Sequence, residues 1–337
     1  MNFLKKIKLL FTRAKNANYE RALKFIKEDA NKSKKPALLI AADILFCILK
    51  YGTAFNDYHV FDFCLLSGKH RKSFITLTYN NRFVSVMNDI EYRSLFEDKT
   101  KFDKKFSEFL GRKILFISEV TEDEFEKFFR ENEYFYAKKD NEFGGKGVKK
   151  FKASAFKNSK DALLNLKNEG FDLVEEVIKQ HPVPASFDQC LNTVRIATML
   201  NIKGEPEILY GVFRCGNKSD TDNVSSGGFA AMVDVNTGII ITDGISKDNK
   251  PTLYHPGSGK QFKGTQLPFW DEACNMVKKA ALVCPNVRYV GWDVAFTPDK
   301  CILIEGNYNP GYISFQAPDK VGKKEVFERY LKMYNKA

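Results

Sequence analysis

Two apolar segments near the C-terminus carry acidic and amide side chains that would be costly to bury without a partner. The first, VGWDVAFT, holds Asp293, and the second, CILIEGN, holds Glu305 and Asn307. A Pro298-Asp299 pair between them favours a β-turn, so the two segments are predicted to form a hairpin. Side chains two residues apart lie on one face of a strand, and the turn sets Asp293 opposite Glu305 or close to it. The sequence therefore predicts that three oxygen-bearing side chains converge.

Such a group of oxygen donors suits magnesium. This ion prefers hard oxygen ligands in an octahedral shell and binds through one or two carboxylates together with substrate phosphates. Two carboxylates that ionise side by side repel each other when no cation is present. The alternative is the polar edge of a solvated hairpin, but the surrounding Val, Ile, Leu, Phe and Trp predict burial. Asp293, Glu305 and Asn307 are therefore the predicted metal ligands.

A glycine-rich loop, NEFGGKGVKK, follows a predicted strand that contains Lys138. Its central residues are Gly144, Gly145, Lys146 and Gly147. Glycines let the backbone approach phosphate and expose N–H donors, while lysines add positive charge, although such loops are also common surface turns. The spacing is not that of a P-loop, nor that of a protein kinase, in which the strand lysine follows the glycines.

Hydrophobic periodicity divides the chain into four predicted segments. Residues 1–50 form a helical N-terminal region, and residues 51–110 form a small mixed subdomain in which SFITLTY and RFVSVM are predicted strands joined by an Asn-Asn turn. Residues 111–178 form a first α/β subdomain with the glycine-rich loop. Residues 179–337 form a second, with the metal and acceptor site, and its runs TVRIATML and EILYGVFR are predicted to make a further hairpin. The predicted fold class is α+β.

The composition limits the classes of partner. The 337 residues are 44% hydrophobic with 30 Phe and 14 Tyr, which predicts a folded chain, and both Trp270 and Trp292 are expected in the core. The net charge of +11 invites a nucleic-acid partner, but the lysines are spread along the chain without a nucleic-acid motif, so none is expected. The basic surface is expected to attract ATP, sugar nucleotides or an anionic membrane. Seven cysteines without a CxxC pair predict reduced core thiols.

The N-terminal sequence MNFLKKIKLLFTRAK mixes apolar and basic residues. Lysines interrupt it before a signal-peptide core develops, so a cytoplasmic location is expected. It is predicted either to rest on the inner face of a membrane or to pack on the rest of the protein. The most apolar segment, residues 36–49, carries Asp43 and is too short to span a bilayer, so a buried helix is predicted there.

The order of these motifs resembles the ATP-grasp superfamily, with a strand lysine, a glycine-rich loop, the segment LVEEVI, and a late hairpin bearing Asp and Glu-x-Asn. The resemblance covers residues 111–315 and implies an ATP-grasp fold, in which two α/β subdomains grip ATP, with ATP and Mg²⁺ as cofactors. It implies that Lys138 contacts the α- and β-phosphates, that the loop through Lys146 covers the phosphates, and that the hairpin triad binds magnesium. The implied adenine contacts are Glu175, Glu176, Val177 and Ile178.

Longer stretches look like the sugar-transfer-associated ATP-grasp proteins, which are encoded with polysaccharide synthesis enzymes. These stretches are LNTVRIAT, DNVSSGGFAA, YVGWDVAFTPD and LIEGNYNPG, with KYGTAFNDYHVFDFCLLSGKHR nearer the N-terminus. The sequence departs from the pattern twice. The proline that usually follows the strand lysine is Lys139 here, and KQHP replaces the acidic residue that binds ribose in many relatives. Ribose contact is therefore assigned to Gln180 or His181.

Two arginines are predicted to line the cleft. Arg214 precedes Asn223 and a Gly227-Gly228 pair, an order that resembles amino-acid ligases of this fold, and Arg195 lies on the preceding strand. A guanidinium matches phosphate and carboxylate groups in a bidentate manner. The resemblance implies that Arg195, Arg214 and Asn223 are catalytic, with the arginines stabilising the transferring phosphoryl group and an acyl-phosphate. The alternative is that both arginines are surface residues of their strands.

Two further segments keep alternatives open. His255, in the loop YHPGSGKQF, could close over an acceptor or could simply be solvated. Asp57, Tyr58 and His59 suit the stacking of a sugar but equally suit a contact within the protein.

The leading functional hypothesis is a ligase that uses ATP and magnesium. ATP would phosphorylate a carboxylate, and an amine or hydroxyl would then displace phosphate to give an amide or ester, on a sugar or sugar-linked intermediate of surface polysaccharide such as capsule. The implied partners are ATP, a carboxylate substrate and an amine or sugar acceptor, with peripheral contact to a membrane or to glycosyltransferases. The alternatives are a kinase of a sugar hydroxyl and a non-catalytic nucleotide- or glycan-binding partner of a glycosyltransferase. The presence of all four of Lys138, Asp293, Glu305 and Asn307 argues against the last.

Overall fold

The computed structural model describes residues 18–140, 147–218 and 221–334, and it divides into two compact units. The first unit draws on Met1–Met87 and Gly311–Ala337, and the second is Asn88–Pro310. The described part of the first unit is helical, whereas the second unit holds both β-sheets. The predicted α+β class with a helical N-terminal region is confirmed. Among the residues described, none of the helices has the length and apolar character needed to cross a bilayer.

The α-helices are distributed over both units. In chain order they are α1 (Tyr19–Ser33), α2 (Ala37–Tyr51), α3 (Phe55–Val60), α4 (Gly68–Ser73), α5 (Leu77–Met87), α6 (Arg93–Glu97), α7 (Lys99–Lys105), α8 (Ser107–Leu110), α9 (Glu122–Glu131), α10 (Ser159–Asn168), α11 (Pro182–Ala185), α12 (Trp270–Val283) and α13 (Lys324–Tyr334).

Helix α5 corrects the prediction of two strands in this part of the chain. The run RFVSVM and the end of SFITLTY lie within one helix, and the Asn-Asn pair between them is helical rather than a turn. The buried side chains Asn80, Phe83, Val84 and Met87 follow the spacing of a helix, and Phe83 packs 4.7 Å from Phe327 of α13. Burial of this face overrides the strand preference of the β-branched and aromatic residues.

Asp57, Tyr58 and His59 are all buried in the first unit, on α3. The carboxylate of Asp57 accepts a hydrogen bond of 2.5 Å from Tyr312, and Tyr58 donates to Asp43 at 2.7 Å. These contacts favour the alternative of an internal contact and leave no exposed ring for stacking a sugar.

The predicted buried helix at residues 36–49 is only half buried. Ile40, Ile44, Cys47 and Ile48 of α2 face the interior. The opposite side of the same helix is exposed, and Leu38 has 81% of its surface open to solvent. The prediction of full burial was therefore wrong, because a helix that is apolar on every side does not reveal which side packs.

The second unit contains two antiparallel sheets. The strands are β1 (Ile114–Phe116), β2 (Tyr134–Lys138), β3 (Val148–Lys152), β4 (Leu173–Glu176), β5 (Thr193–Leu200), β6 (Pro206–Cys215), β7 (Phe229–Val233), β8 (Gly244–Ile245), β9 (Pro251–Thr252), β10 (Tyr289–Phe296) and β11 (Cys301–Asn307). The first sheet has the order β1-β4-β2-β3, and the second has the order β11-β10-β5-β6-β7-β8-β9. Helices α9 and α10 share one hydrophobic cluster with the first sheet, which includes Phe128, Phe135, Leu166 and Val174.

Both predicted hairpins are present in the second sheet. Strands β5 and β6 pair over their length, and β10 pairs with β11 in a register that sets Asp293 opposite Glu305. Every residue of strand β10 is buried, including Asp293. Strand β5 lies on the other side of β10 and sets Arg195 opposite Asp293.

The two tryptophans lie in the core, as predicted. Trp292 is fully buried, its indole N–H donates to Thr198 Oγ1 at 2.8 Å, and its ring lies 5.4 Å from that of Phe106. Trp270 is 4% exposed and donates to the carbonyl of Val235.

Replacement of Trp292 by alanine should therefore destabilise the protein by about 3–5 kcal/mol, because it removes a large buried ring and leaves a cavity. The measurement is the free energy of unfolding in denaturant. Leu164→Ala is the matched control because Leu164 is 60% exposed, and its effect should stay within about 0.5 kcal/mol. Equal losses in the two variants would show that Trp292 is not part of the stabilising core.

Candidate functional site

Asp293 accepts hydrogen bonds from two arginines at the centre of the second sheet. Its carboxylate is 1% exposed and receives two bonds from Arg195, from Nε to Oδ1 and from Nη2 to Oδ2, both at 2.8 Å. Arg214 Nη2 donates to Oδ2 at 2.9 Å. Burial alone would raise the pKa of Asp293, but the charges of Arg195 and Arg214 outweigh it and hold this pKa well below its usual range. Asp293 is therefore ionised and fixed in place.

The predicted triad converges, as the hairpin register requires. Asn307 Nδ2 lies 3.4 Å from Asp293 Oδ2 and 3.3 Å from Glu305 Oε1. Glu305 lies near the end of β11, and its side chain reaches solvent. Desolvation by the protein around its carboxyl, together with the charge of Asp293, raises the pKa of Glu305 to about 7.

The chemistry of these side chains fits magnesium. Desolvation contributes most to the raised pKa of Glu305 and the negative charge of Asp293 adds to it, and a bound cation would offset the repulsion between the two carboxylates. Because Asp293 already accepts from two arginines, Glu305 and Asn307 have the more available oxygen atoms. No group of three or more His, Cys, Asp and Glu side chains suited to a metal occurs in the described parts of the chain.

Arg214 is held along one edge of its guanidinium. Besides Asp293, it donates from Nη2 to Thr193 Oγ1 at 2.7 Å, and Nη2 lies 3.3 Å from Asp222 Oδ2. No described residue accepts a hydrogen bond from Nη1, so that donor remains for a ligand. Arg195 is more completely used, because its Nη1 also donates to the carbonyl of Pro310.

Asn223 lies beside this cluster. It directly follows the buried Asp222, and its carbonyl accepts hydrogen bonds from Ser226 and Gly228. Asp222, which contacts Arg214, was not among the predicted site residues. The available signal was an acidic residue next to Asn223, but no local pattern distinguishes it from its neighbours in the same polar segment.

A second cluster of charges lies on the first sheet. Lys138, at the end of β2, has its ammonium 2.5 Å from Glu175 Oε1, and Arg112 Nε donates to Glu175 Oε2 at 2.8 Å. Burial would raise the pKa of Glu175, but Lys138 and Arg112 outweigh it and lower this pKa to about 2. The carboxylate of Glu175 therefore holds two cations in place.

Arg112 also joins the two sheets. Its Nη1 donates to the carbonyl of Leu303 at 2.7 Å and its Nη2 to that of Ile304 at 3.4 Å, both on β11 and next to Glu305. A continuous set of charged contacts thus connects the lysine of the first sheet to the strand that carries the predicted metal ligands. Arg112 was not among the predicted site residues, because Glu175 and Leu303, which Arg112 contacts, are far apart in the chain.

Most of the glycine-rich loop, including Gly144, Gly145 and Lys146, lies outside the described residues. Gly147 is described, with a φ of 72°, and its carbonyl accepts a hydrogen bond from Lys139 N at 3.0 Å. This pair closes the base of the loop. The predicted contacts of these residues with phosphate stay predictions.

The segment predicted to contact adenine includes Glu175 and continues past the end of β4. Glu176 Oε1 accepts a hydrogen bond from the backbone N–H of Lys113 at 3.1 Å. Val177 and Ile178 come directly after β4, where regular strand pairing ends. Their backbone groups are the ones that we expect to meet a base.

The two residues assigned to ribose already have partners within the chain. Gln180 donates to the carbonyl of Cys190 at 2.5 Å and accepts from Asn192 N at 2.9 Å. His181 caps α11 by accepting from Val183 N at 3.1 Å. Ribose contact by Gln180 or His181 stays a prediction.

His255 differs from both alternatives proposed for it. It is fully buried, and its Nε2 lies 2.7 Å from the carbonyl of Gly216. The ring packs among Phe187, Phe229 and Phe262. It is therefore a core residue that organises its loop, neither solvated nor open to an acceptor.

A comparison with protein families matches residues 110–330 to the model described as sugar-transfer associated ATP-grasp. No curated protein matches the sequence. Among solved structures, the ATP-grasp ligase PsnB complexed with a minimal precursor has 11% identity and a TM-score of 0.46, covering 73% of this chain and 64% of that one. The D-alanine-D-alanine ligase from Coxiella burnetii has 9% identity and a TM-score of 0.44, covering 74% and 61%. This chain thus spans less than two thirds of the length of either protein.

Replacement of Arg112 by methionine should lower the free energy of unfolding by about 3 kcal/mol, because it leaves a buried carboxylate with only one of its two cations. Arg130→Met is the control, since Arg130 forms an ion pair with Glu126 on the surface and such pairs contribute about 0–1 kcal/mol. Denaturant titration of both variants measures the difference. Losses of similar size would contradict the role assigned to Arg112.

Proposed function

The chain belongs to the sugar-transfer-associated ATP-grasp family, and on that premise we propose that it is an ATP- and magnesium-dependent ligase. The observation that carries the proposal is the convergence of Asp293, Glu305 and Asn307 beside Arg214, whose Nη1 donates to none of the described residues and could donate to a ligand. Oxygen donors for a cation next to a fixed guanidinium are what phosphoryl transfer requires.

We propose that the phosphates of ATP lie between the two charged clusters. Lys138 and the glycine-rich loop would bind them from the first sheet, and Glu305 and Asn307, with Asp293 behind them, would hold magnesium on the second. Magnesium supplies charge neutralisation of the phosphate oxygens when it is bound. The interaction of Lys138 with Glu175 would hold the ammonium in position before the nucleotide arrives.

The proposed reaction has two steps. A carboxylate oxygen of the substrate attacks the γ-phosphorus of ATP, and the bond from this phosphorus to the bridging oxygen breaks. The products of this step are ADP and an acyl-phosphate. An amine or hydroxyl then attacks the acyl carbon and releases phosphate, with loss of its proton, to give an amide or ester. Arg214 would stabilise the transferring phosphoryl group, and Arg195 and Asn223 would assist it, so that catalysis is electrostatic and needs no protein nucleophile.

We propose that the product is a modified sugar or sugar-linked intermediate of surface-polysaccharide biosynthesis. The family's association with sugar transfer supports this setting. It implies a cytoplasmic location at the inner face of the membrane, beside the glycosyltransferases that would supply or consume the acceptor.

The first test is the rate of ADP formation in Glu305→Gln, with magnesium, ATP and a panel of acids, amines and sugar nucleotides. The substitution keeps the shape of the side chain but removes its charge, so we expect a loss of about 100-fold or more. Asp299→Asn, on the exposed turn of the same hairpin, should behave like the wild type. If the two variants turn over ATP equally, Glu305 does not bind the catalytic cation.

The second test distinguishes a ligase from a kinase by trapping with hydroxylamine. A ligase should form a hydroxamate that depends on ATP, magnesium and the correct acid, because hydroxylamine captures the acyl-phosphate. A kinase would instead yield a phosphorylated sugar and no hydroxamate. Binding of ATP without any turnover across the panel would favour a non-catalytic partner of a glycosyltransferase and reject the ligase.

A further inference from the structure

Helix α2 presents two apolar faces, of which only one is covered. Opposite its buried side lies an outer face, which we define as Leu38, Leu39, Leu45 and Phe46, exposed by 81%, 57%, 48% and 46%. These positions recur at the spacing of a helix and form one stripe. A surface helix normally turns charged residues to water, and a contiguous apolar stripe of this kind marks an interaction site.

Apart from Asp43, the charged residues nearest to the outer face along the chain are lysines. The acidic residue of α2, Asp43, accepts hydrogen bonds from Arg71 and Tyr58 and so is held toward the protein. Lys34 precedes the helix, and Lys50, in its last turn, has its ammonium 4.8 Å from the ring centre of Phe46. The apolar stripe is thus bounded by a lysine at each end.

Helix α1 also exposes apolar side chains, and the sequence before it is basic. Helix α1 packs against α2 and exposes Tyr19 and Leu23 by 65% and 60%. The sequence of residues 1–17, which leads into α1, has basic residues and no acidic one. Those basic residues are Lys5, Lys6, Lys8, Arg13 and Lys15.

We propose that the outer face of α2 docks on an anionic lipid bilayer. A convex apolar ridge suits fluid hydrocarbon, and lysines beside it suit acidic headgroups; this is the composition of a helix that lies in the membrane interface. Each lysine near such a surface strengthens binding by roughly five-fold. Association of two copies through this face is disfavoured, because an antiparallel arrangement would bring Lys34 of one copy toward Lys50 of the other. The inference concerns attachment and does not depend on the ligase reaction.

The test is co-sedimentation of the full chain with vesicles of phosphatidylcholine alone or mixed with phosphatidylglycerol. We expect binding to the mixed vesicles that weakens with salt, and much weaker binding to phosphatidylcholine. The variant Leu38→Ser with Phe46→Ser should lose about ten-fold or more in partitioning, because it removes two apolar side chains from the outer face without changing charge. Leu164→Ser, which alters an exposed leucine of the second unit, should bind like the wild type.

Two results would overturn the proposal. One is equal vesicle binding by the double serine variant and the wild type, which would assign any attachment to residues outside the outer face. The other is a concentration-dependent dimer that the same variant abolishes, which would make the face an interface between copies. Unfolding free energies that match the wild type verify that the variant is folded. ADP formation in the absence of lipid is assayed separately, so loss of attachment is not confused with failure of the ligase.

Discussion

The geometry of the site depends on one buried carboxylate and the two guanidinium groups that neutralise it. Burying Asp293 alone would be strongly unfavourable, and the attraction of a single cation rarely offsets the cost of removing both charges from water. Arg195 and Arg214 together provide three hydrogen bonds, and they do so from two neighbouring strands. The cluster therefore fixes β5, β6 and β10 in one register, and that register determines where Glu305 and Asn307 stand.

The same arrangement, one buried carboxylate between two cationic side chains, occurs on the first sheet. There Glu175 receives Lys138 and Arg112, and Arg112 continues to the backbone of β11. Charges placed in this way are already desolvated and oriented, so a bound nucleotide would meet a field that needs little rearrangement. A site built from such contacts can polarise phosphate without offering a nucleophile of its own. Under the proposed reaction, specificity for acid and acceptor would lie in the loops around the site.

The sequence predicted those features that depend on short-range geometry. Asp293, Glu305 and Asn307 could be placed together because a strand alternates its faces and the turn between the strands is only a few residues long. Arg112 could not be found in this way, because Glu175 and Leu303 lie far from it along the chain. Asp222 is only a few residues from Arg214, but no local period links the two. Helix α5 was predicted as strands because its β-branched and aromatic residues favour strands, whereas packing of Phe83 and Met87 decides the outcome. The burial of His255 could not be predicted from its glycine-rich segment, because burial depends on the packing of the whole fold.

The most direct measurement of the central claim is a crystal structure of the protein with magnesium and a non-hydrolysable ATP analogue. We expect a cation with oxygen atoms of Glu305 and Asn307 among its ligands, at about 2.1 Å. We also expect phosphate oxygens within hydrogen-bonding distance of Lys138 and of Arg214 Nη1. A nucleotide bound elsewhere, or one bound here with its cation held by other residues, would contradict the account.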